Sequence, residues 1–366
     1  MEIIYITESD QSDGLVAWEA LKEHVNKALS ALTLESYAGG VLVQEGFKET
    51  LRHLWEKLVE QLKKLIAWIK EKTTSDKARL LRSRDRVETL LGLLHGLQAH
   101  RAPLDHVVVP MTAMEYRHLA KTPKDRVDMR MLGEAHTDMT RAMGLFFESH
   151  VDYVRAQMRL ITEAFGKFDV LQADAQLAEL KAKLAQLPFK GFGPDETHIS
   201  VVGMATIVLD KTSHPGLDEL AFVGMKLAAS TATSGFRAPP VGAAIAIMVN
   251  LREVLNRAIQ FQEHVLPTLE ATHQQLLRAG GSLMKRVNEM TSGNTDGSHI
   301  EAVVKEMLGM EAKIASSVMR PLVPAFDWII NTADAMSGLI GRAVESAQHQ
   351  EAPKPGSITP ALPAPT

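Results

Sequence analysis

The chain has 366 residues, of which 45% are apolar and 5% aromatic, and a formal net charge of −4. That length fits one large domain or two smaller ones, and the charge excludes a generic polyanion binder, so any nucleic-acid contact must come from a local patch. There is no cysteine, which excludes a disulfide scaffold, a thiolate zinc site and a cysteine nucleophile.

The opening "MEIIYITESDQSDG" is acidic and weakly patterned. It lacks the basic and apolar regions of a secretory signal. A helix is expected over 15–34, interrupted by "ALTLESYAGG". The strongest helical signal follows, "FKETLRHLWEKLVEQLKKLIAWIKEK". Its apolar residues Phe47, Leu51, Leu54, Leu58, Leu62, Leu65 and Ile69 recur at spacings of three and four, which makes one continuous stripe. Ser75 and Asp76 offer an N-cap for a separate helix reaching about Gln98.

Pro103 and Pro110 make the next stretch irregular, with a short strand at "HVVV". Helical patterns then cover 124–165 and 173–186. "LPFKGFGPDE" is a loop, and "THISVVGMATIVLD" reads as strand because Val and Ile dominate it. Helices resume over 241–277, with a break near Pro267, and over 300–319 and 325–346, separated by Pro321 and Pro324. The tail "EAPKPGSITPALPAPT" is proline-rich and expected to be disordered. Ala, Leu, Met, Glu and Lys abound, which favours helix. The expected fold is mainly α: a multi-helix bundle with long amphipathic helices and a small β insert around 188–210. The longest apolar run, Val241 to Val249, is far short of the ~20 residues a membrane-spanning helix requires.

Chemistry is sparse. The basic run contains Lys63, Lys64, Lys70, Lys77, Arg79, Arg82 and Arg86. Arg79, Arg82 and Arg86 share a helix face by spacing, and such a face binds phosphates by nonspecific charge neutralisation. A merely solvated surface is the plainer reading. Trp55 and Trp68 stand beside lysines on an amphipathic helix, a pattern suited to a membrane surface, a partner helix or a core. Interleaved acids favour core or partner packing. In "GEAHTD", Glu134 and Asp138 reach one side of a helix while His136 points about 200° from Glu134, so no metal site is expected. "GFGPDE" is no dinucleotide fingerprint, and no nucleophile elbow or HExxH spacing occurs. No catalytic residue, cofactor or small-molecule substrate is expected.

In order along the chain, "LTLESYAGG", "LRHLWEKLVEQLKKLIAWIKEK", "PFKGFGPDETHISVVGMATIVL" and "PPVGAAIAIMVNLREVLNRAIQFQEHVLPTLE" resemble the internal head proteins of large, or jumbo, tailed bacteriophages. The resemblance is one of pattern and order over most of 30–346. It implies a non-enzymatic virion structural protein, packaged inside the capsid with other inner-head proteins and nonspecifically associated with DNA. Before assembly it would reside in the cytoplasm of the infected bacterium. It also implies an N-terminal propeptide, 1–35, removed by the prohead protease, with Thr33 and Glu35 in the recognition positions and cleavage before Ser36. A second match is "ITE" at Ile6 to Glu8. The remaining divisions are 36–100, amphipathic and basic helices; 101–350, a helical body; and 351–366, the tail. The alternative is an α-helical effector that docks on membranes or a host partner through the Trp55/Trp68 helix.

Overall fold

The computed structural model of the protein describes residues 43–193, 195–211, 216–224, 235–290, 297–318 and 321–351. The expected helix over 15–34, the Thr33–Glu35–Ser36 junction and the tail beyond Glu351 lie outside them. The fold is mainly α, with long helices and a small antiparallel β region in the middle.

The two helices expected on either side of Ser75–Asp76 are one. Helix α1 runs unbroken from Val43 to Ala99, 57 residues, or roughly 85 Å at 1.5 Å per residue. Asp76 is no cap: it is buried, with Arg79 Nη1 at 3.5 Å on the same helix. The inward positions Asp76, Leu80, Ser83, Val87, Leu90, Leu94 and Leu97 are all buried and alternate at spacings of four and three. That repeat keeps one seam facing its neighbours through the polar stretch, and tertiary packing there overrides a local capping signal. The helix stops where Arg101 takes φ 55° and Pro103 follows.

The irregular stretch holds a strand, β1 (Val108–Pro110), and an unexpected short helix, α2 (Ala113–Leu119). Thr112 and Glu115 form a reciprocal capping box: Glu115 N–H donates to Thr112 Oγ1 at 3.1 Å, and Thr112 N–H donates to Glu115 Oε2 at 2.9 Å. Arg342 of the last helix, α9 (Leu322–Glu351), donates to the same carboxylate at 2.6 Å and to the Pro110 carbonyl at 3.2 Å. One arginine thereby ties the whole irregular stretch to the body.

The long pattern over 124–165 becomes α3 (Met129–Met143) and α4 (His150–Gly166), capped at its start by Asp128. A π-helical turn, Gly144–Ser149, joins them. After α5 (Ala173–Ala185), α6 (Val241–Gln260) and α7 (Leu266–Met290) are joined the same way through Phe261–Val265. The expected break near Pro267 is thus a widened turn rather than an interruption. Proline lacks an N–H and crowds the carbonyl four residues back, which falls inside the π turn. The two π turns meet: Phe147 stacks on Phe261 with centroids 4.1 Å apart, and both lie against Phe326 of α9. Helix α8 (Gly297–Ser317) packs on α1, α4, α5 and α7.

"THISVVGMATIVLD" is a hairpin rather than one strand. Strands β2 (His198–Val201) and β3 (Ala205–Asp210) pair antiparallel, and β4 (Glu219–Gly224) adds to β3. The strands therefore run past 210. Separately, β5 (Gly235–Arg237) pairs with β1. The β2–β3 turn has no polar signature because it is buried. Gly203 and Met204 take φ 82° and 50°, and their N–H groups both donate to the Ala120 carbonyl at 2.9 Å. Val202 N–H donates to Asp138, and Trp328 Nε1 donates to the Val202 carbonyl at 2.8 Å. A polar lining of the helical body thus satisfies the turn's backbone, which lets apolar residues occupy it.

Candidate nucleic-acid interface

The basic run lies on α1, and its members face different ways. Lys63, Lys64, Arg82 and Arg86 are exposed and Lys77 is half-buried. Lys64 Nζ lies 2.7 Å from Glu60, and Lys77 Nζ lies 2.8 Å from Glu263 of the second π turn. Both pairs are solvent-facing, where such contacts add little and yield to a competing phosphate. The side chain of Lys70 lies outside the described residues.

Arg79 does not belong to this face. Its guanidinium pairs with the buried carboxylate of Asp327 and donates to Asn331 Oδ1 at 3.0 Å, both on α9. Asp327, Asn331 and Asp334 fall four and three residues apart on α9, one face by helical spacing. They meet Arg79, Ser83 and Arg86 at the same spacing on α1. Ser83 Oγ donates to Asp334 Oδ1 at 2.8 Å, and Arg86 Nη1 lies 3.6 Å from the same oxygen. Half of the basic signal in 79–86 therefore belongs to an interhelical polar seam. The acidic partners lie about 250 residues away, so spacing within the run gave no hint of them. The seam's sequence trace is the polar Asp327–Asn331–Asp334 row on an otherwise apolar helix.

Trp55 turns inward. It packs against the core with Val59, and its ring lies over Gly280 of α7. The side chain of Trp68 lies outside the described residues.

"GEAHTD" is occupied by a lysine. Lys121 Nζ sits 3.2 Å from both Glu134 Oε2 and Asp138 Oδ2, and Asp138 also accepts from Val202 N–H. His136 takes no part in this pairing. Among the described residues no group of three histidines, aspartates or glutamates is placed to hold a metal ion. In the "GFGPDE" loop, Glu196 accepts from Gly193 N–H at 3.1 Å and from Arg141 at 2.9 Å, which closes the loop on itself. His150 and His273 are buried. Desolvation brings each imidazole down to about 4, although His150 Nε2 donates to the Val318 carbonyl. Both stay neutral at ordinary pH and serve packing. Among the described residues no helix is long and apolar enough to cross a membrane.

No protein-family model matches the chain, and no match was found among curated proteins or solved structures.

Proposed function

We propose that the chain is a non-enzymatic structural protein of a large tailed-phage virion, packaged inside the head, matured by cleavage after Glu35 and associated with DNA without sequence preference. The observation that carries the DNA contact is the solvent-facing basic set Lys63, Lys64 and Arg82 along α1, with Lys77 and the seam's exposed edge, Arg86, beside it. A helix roughly 85 Å long presents these cations over several turns, which suits a phosphate backbone better than a compact ligand. The maturation rests on the resemblance of "LTLESYAGG" to a propeptide junction. Capsid and inner-head proteins and the prohead protease are the partners this reading entails.

Arg79 leaves the contact set, because its charge is neutralised within the seam. The test is gel retardation of linear duplex DNA by residues 36–366. Binding is expected at low salt and should fall steeply as salt rises. Lys63→Glu, Lys64→Glu and Arg82→Glu together should abolish it, and retardation that survives the triple change refutes the patch. For the maturation, mass spectrometry of intact virions should find Ser36 as the first residue. Peptides from Met1 to Glu35 at full abundance would refute it.

The effector alternative has less support from α1. Trp55 is engaged within the chain, so docking through it would first require its release. Flotation with anionic vesicles distinguishes the two readings.

A further inference from the structure

Glu311 lies on α8 and is fully buried. Among the described residues neither of its carboxylate oxygens meets a hydrogen-bond partner. Helix α7 faces it with Gly280, where no side chain would fit: a Cβ there would stand 2.7 Å from Glu311 Oε2 and 2.4 Å from two ring atoms of Trp55. The indole from the N-terminal half of α1 and the carboxyl of α8 thus share one glycine. The carboxyl and the indole are therefore neighbours at Gly280.

Among the described residues no charged group compensates it. On α1, Arg52 and Glu56 pair with each other at 2.9 Å on the exposed side. On α8 itself, Lys305 pairs with Glu301 and Glu306 with Lys181 of α5, and Lys313 is engaged as well. On α7, Arg278 and Lys285 are exposed, and buried His273, two turns before Gly280, answers only to burial and to Glu270. On α4, Arg155 lies near Asp152, Lys167 pairs with Glu163, and Arg159 is exposed. On α5, Glu179 pairs with Lys183 and Asp174 with His299. Burial alone therefore acts on Glu311, and it holds the carboxyl well above the ordinary carboxylate range. The contrast with Asp76 is direct: that carboxylate is equally buried but has Arg79 beside it.

We propose that Glu311 is a proton-controlled latch for the N-terminal half of α1. The neutral acid stays buried beside Trp55. When its proton passes to solvent, the carboxylate reaches water only by lifting Trp55 off Gly280, which frees that half of the helix. The sign follows from a proton held in the docked form and released in the undocked one. Docking is complete below the ordinary range of a glutamate, and it weakens as pH rises through the elevated range of the buried group. This latch is independent of the DNA proposal.

The absence of native cysteine allows a clean test. Spin labels at Arg52→Cys and Ser282→Cys in the full chain report the distance between α1 and α7. One short distance is expected at pH 5, with a longer population growing toward pH 9. Glu311→Gln and Glu311→Leu should each hold the short distance throughout, and Gly280→Ala should give the long one at every pH. A wild-type distance that stays constant between pH 5 and 9 would overturn the latch. So would a pH response that persists in both Glu311 variants, or variants that are both open at all pH.

Discussion

The two halves of α1 belong to one helix but are held in different ways. From Asp76 to Leu97 its inward side is buried at every step, and the helix as a whole packs chiefly against α6, α9 and α8. A polar seam fixes its register on α9 at Arg79, Ser83 and Arg86. Toward the N-terminus, Trp55 and Val59 are the described side chains that pack on the core, while Glu49, Arg52, His53, Glu56, Glu60, Lys63 and Lys64 are exposed. Helical continuity, then, says nothing about how firmly each part is attached. In the C-terminal half a polar seam locks the register, whereas the described anchors of the N-terminal half are one indole and one valine.

Substitutions at matched depth should break this comparison if it is wrong. Leu94 is fully buried in the C-terminal half, and Leu94→Ala should cost about 2–5 kcal/mol in urea unfolding, from lost transfer energy plus the cavity left behind. Asp327→Ala should cost about 3–5 kcal/mol, because it leaves the part-buried Arg79 without its main carboxylate. Trp55→Ala removes a larger side chain than either, yet it should lower global stability less than Leu94→Ala, because it loosens only the N-terminal half. Equal losses for Trp55→Ala and Leu94→Ala would show the helix to be held uniformly.

Acid should act on the body rather than on the N-terminal half of α1. His150 and His273 are held neutral, at about 4 in the fold against 6.5 in an unfolded chain. The unfolded chain binds more protons between those values, so stability is complete above pH 6.5 and falls as pH drops toward 4. The loss is about 3 kcal/mol for each histidine at about 1.4 kcal/mol per pH unit. His150→Gln with His273→Gln should flatten the urea midpoint between pH 6.5 and 4. A midpoint in the double variant as acid-sensitive as the native one would refute this. Glu311 works in the opposite sense, loosening the N-terminal half as pH rises, so the two parts of the protein should be separable by pH.

Most of the architecture was legible from periodicity. Helices α5, α6, α8 and α9, the joined α3–α4 pattern and the strand at β1 follow from apolar spacing, turn residues and prolines, whereas α7 runs on to Met290, past the expected end at 277. What was not legible depended on distant partners. Ser75–Asp76 looked like a helix start because its buried environment comes from elsewhere in the fold. "VVGM" looked like strand interior because Ala120, Asp138 and Trp328, far away in sequence, satisfy the turn's backbone. The "TAME" capping box at Thr112–Glu115 was readable, but Pro103 and Pro110 masked it. The basic run was legible as charge, whereas its division between a solvent face and an interhelical seam rested on Asp327, Asn331 and Asp334.

The smallest expected effect on stability sharpens that division. Lys63, Lys64 and Arg82 are exposed, and changes at such positions usually stay within about 0.5 kcal/mol. Lys63→Glu, Lys64→Glu and Arg82→Glu should therefore leave the urea midpoint nearly unchanged while removing DNA retardation. Arg79→Glu should do the reverse. It sets a carboxylate against Asp327 and Asp76 and unfolds the chain at lower urea, while at native conditions it removes no solvent-facing cation. If Arg79→Glu alone abolished retardation in a chain still folded by circular dichroism, Arg79 would belong to the DNA face and the seam reading would fail. If the exposed triple change lowered the midpoint as much as Asp327→Ala does, those lysines and Arg82 would be structural and the two halves of α1 would no longer differ in kind.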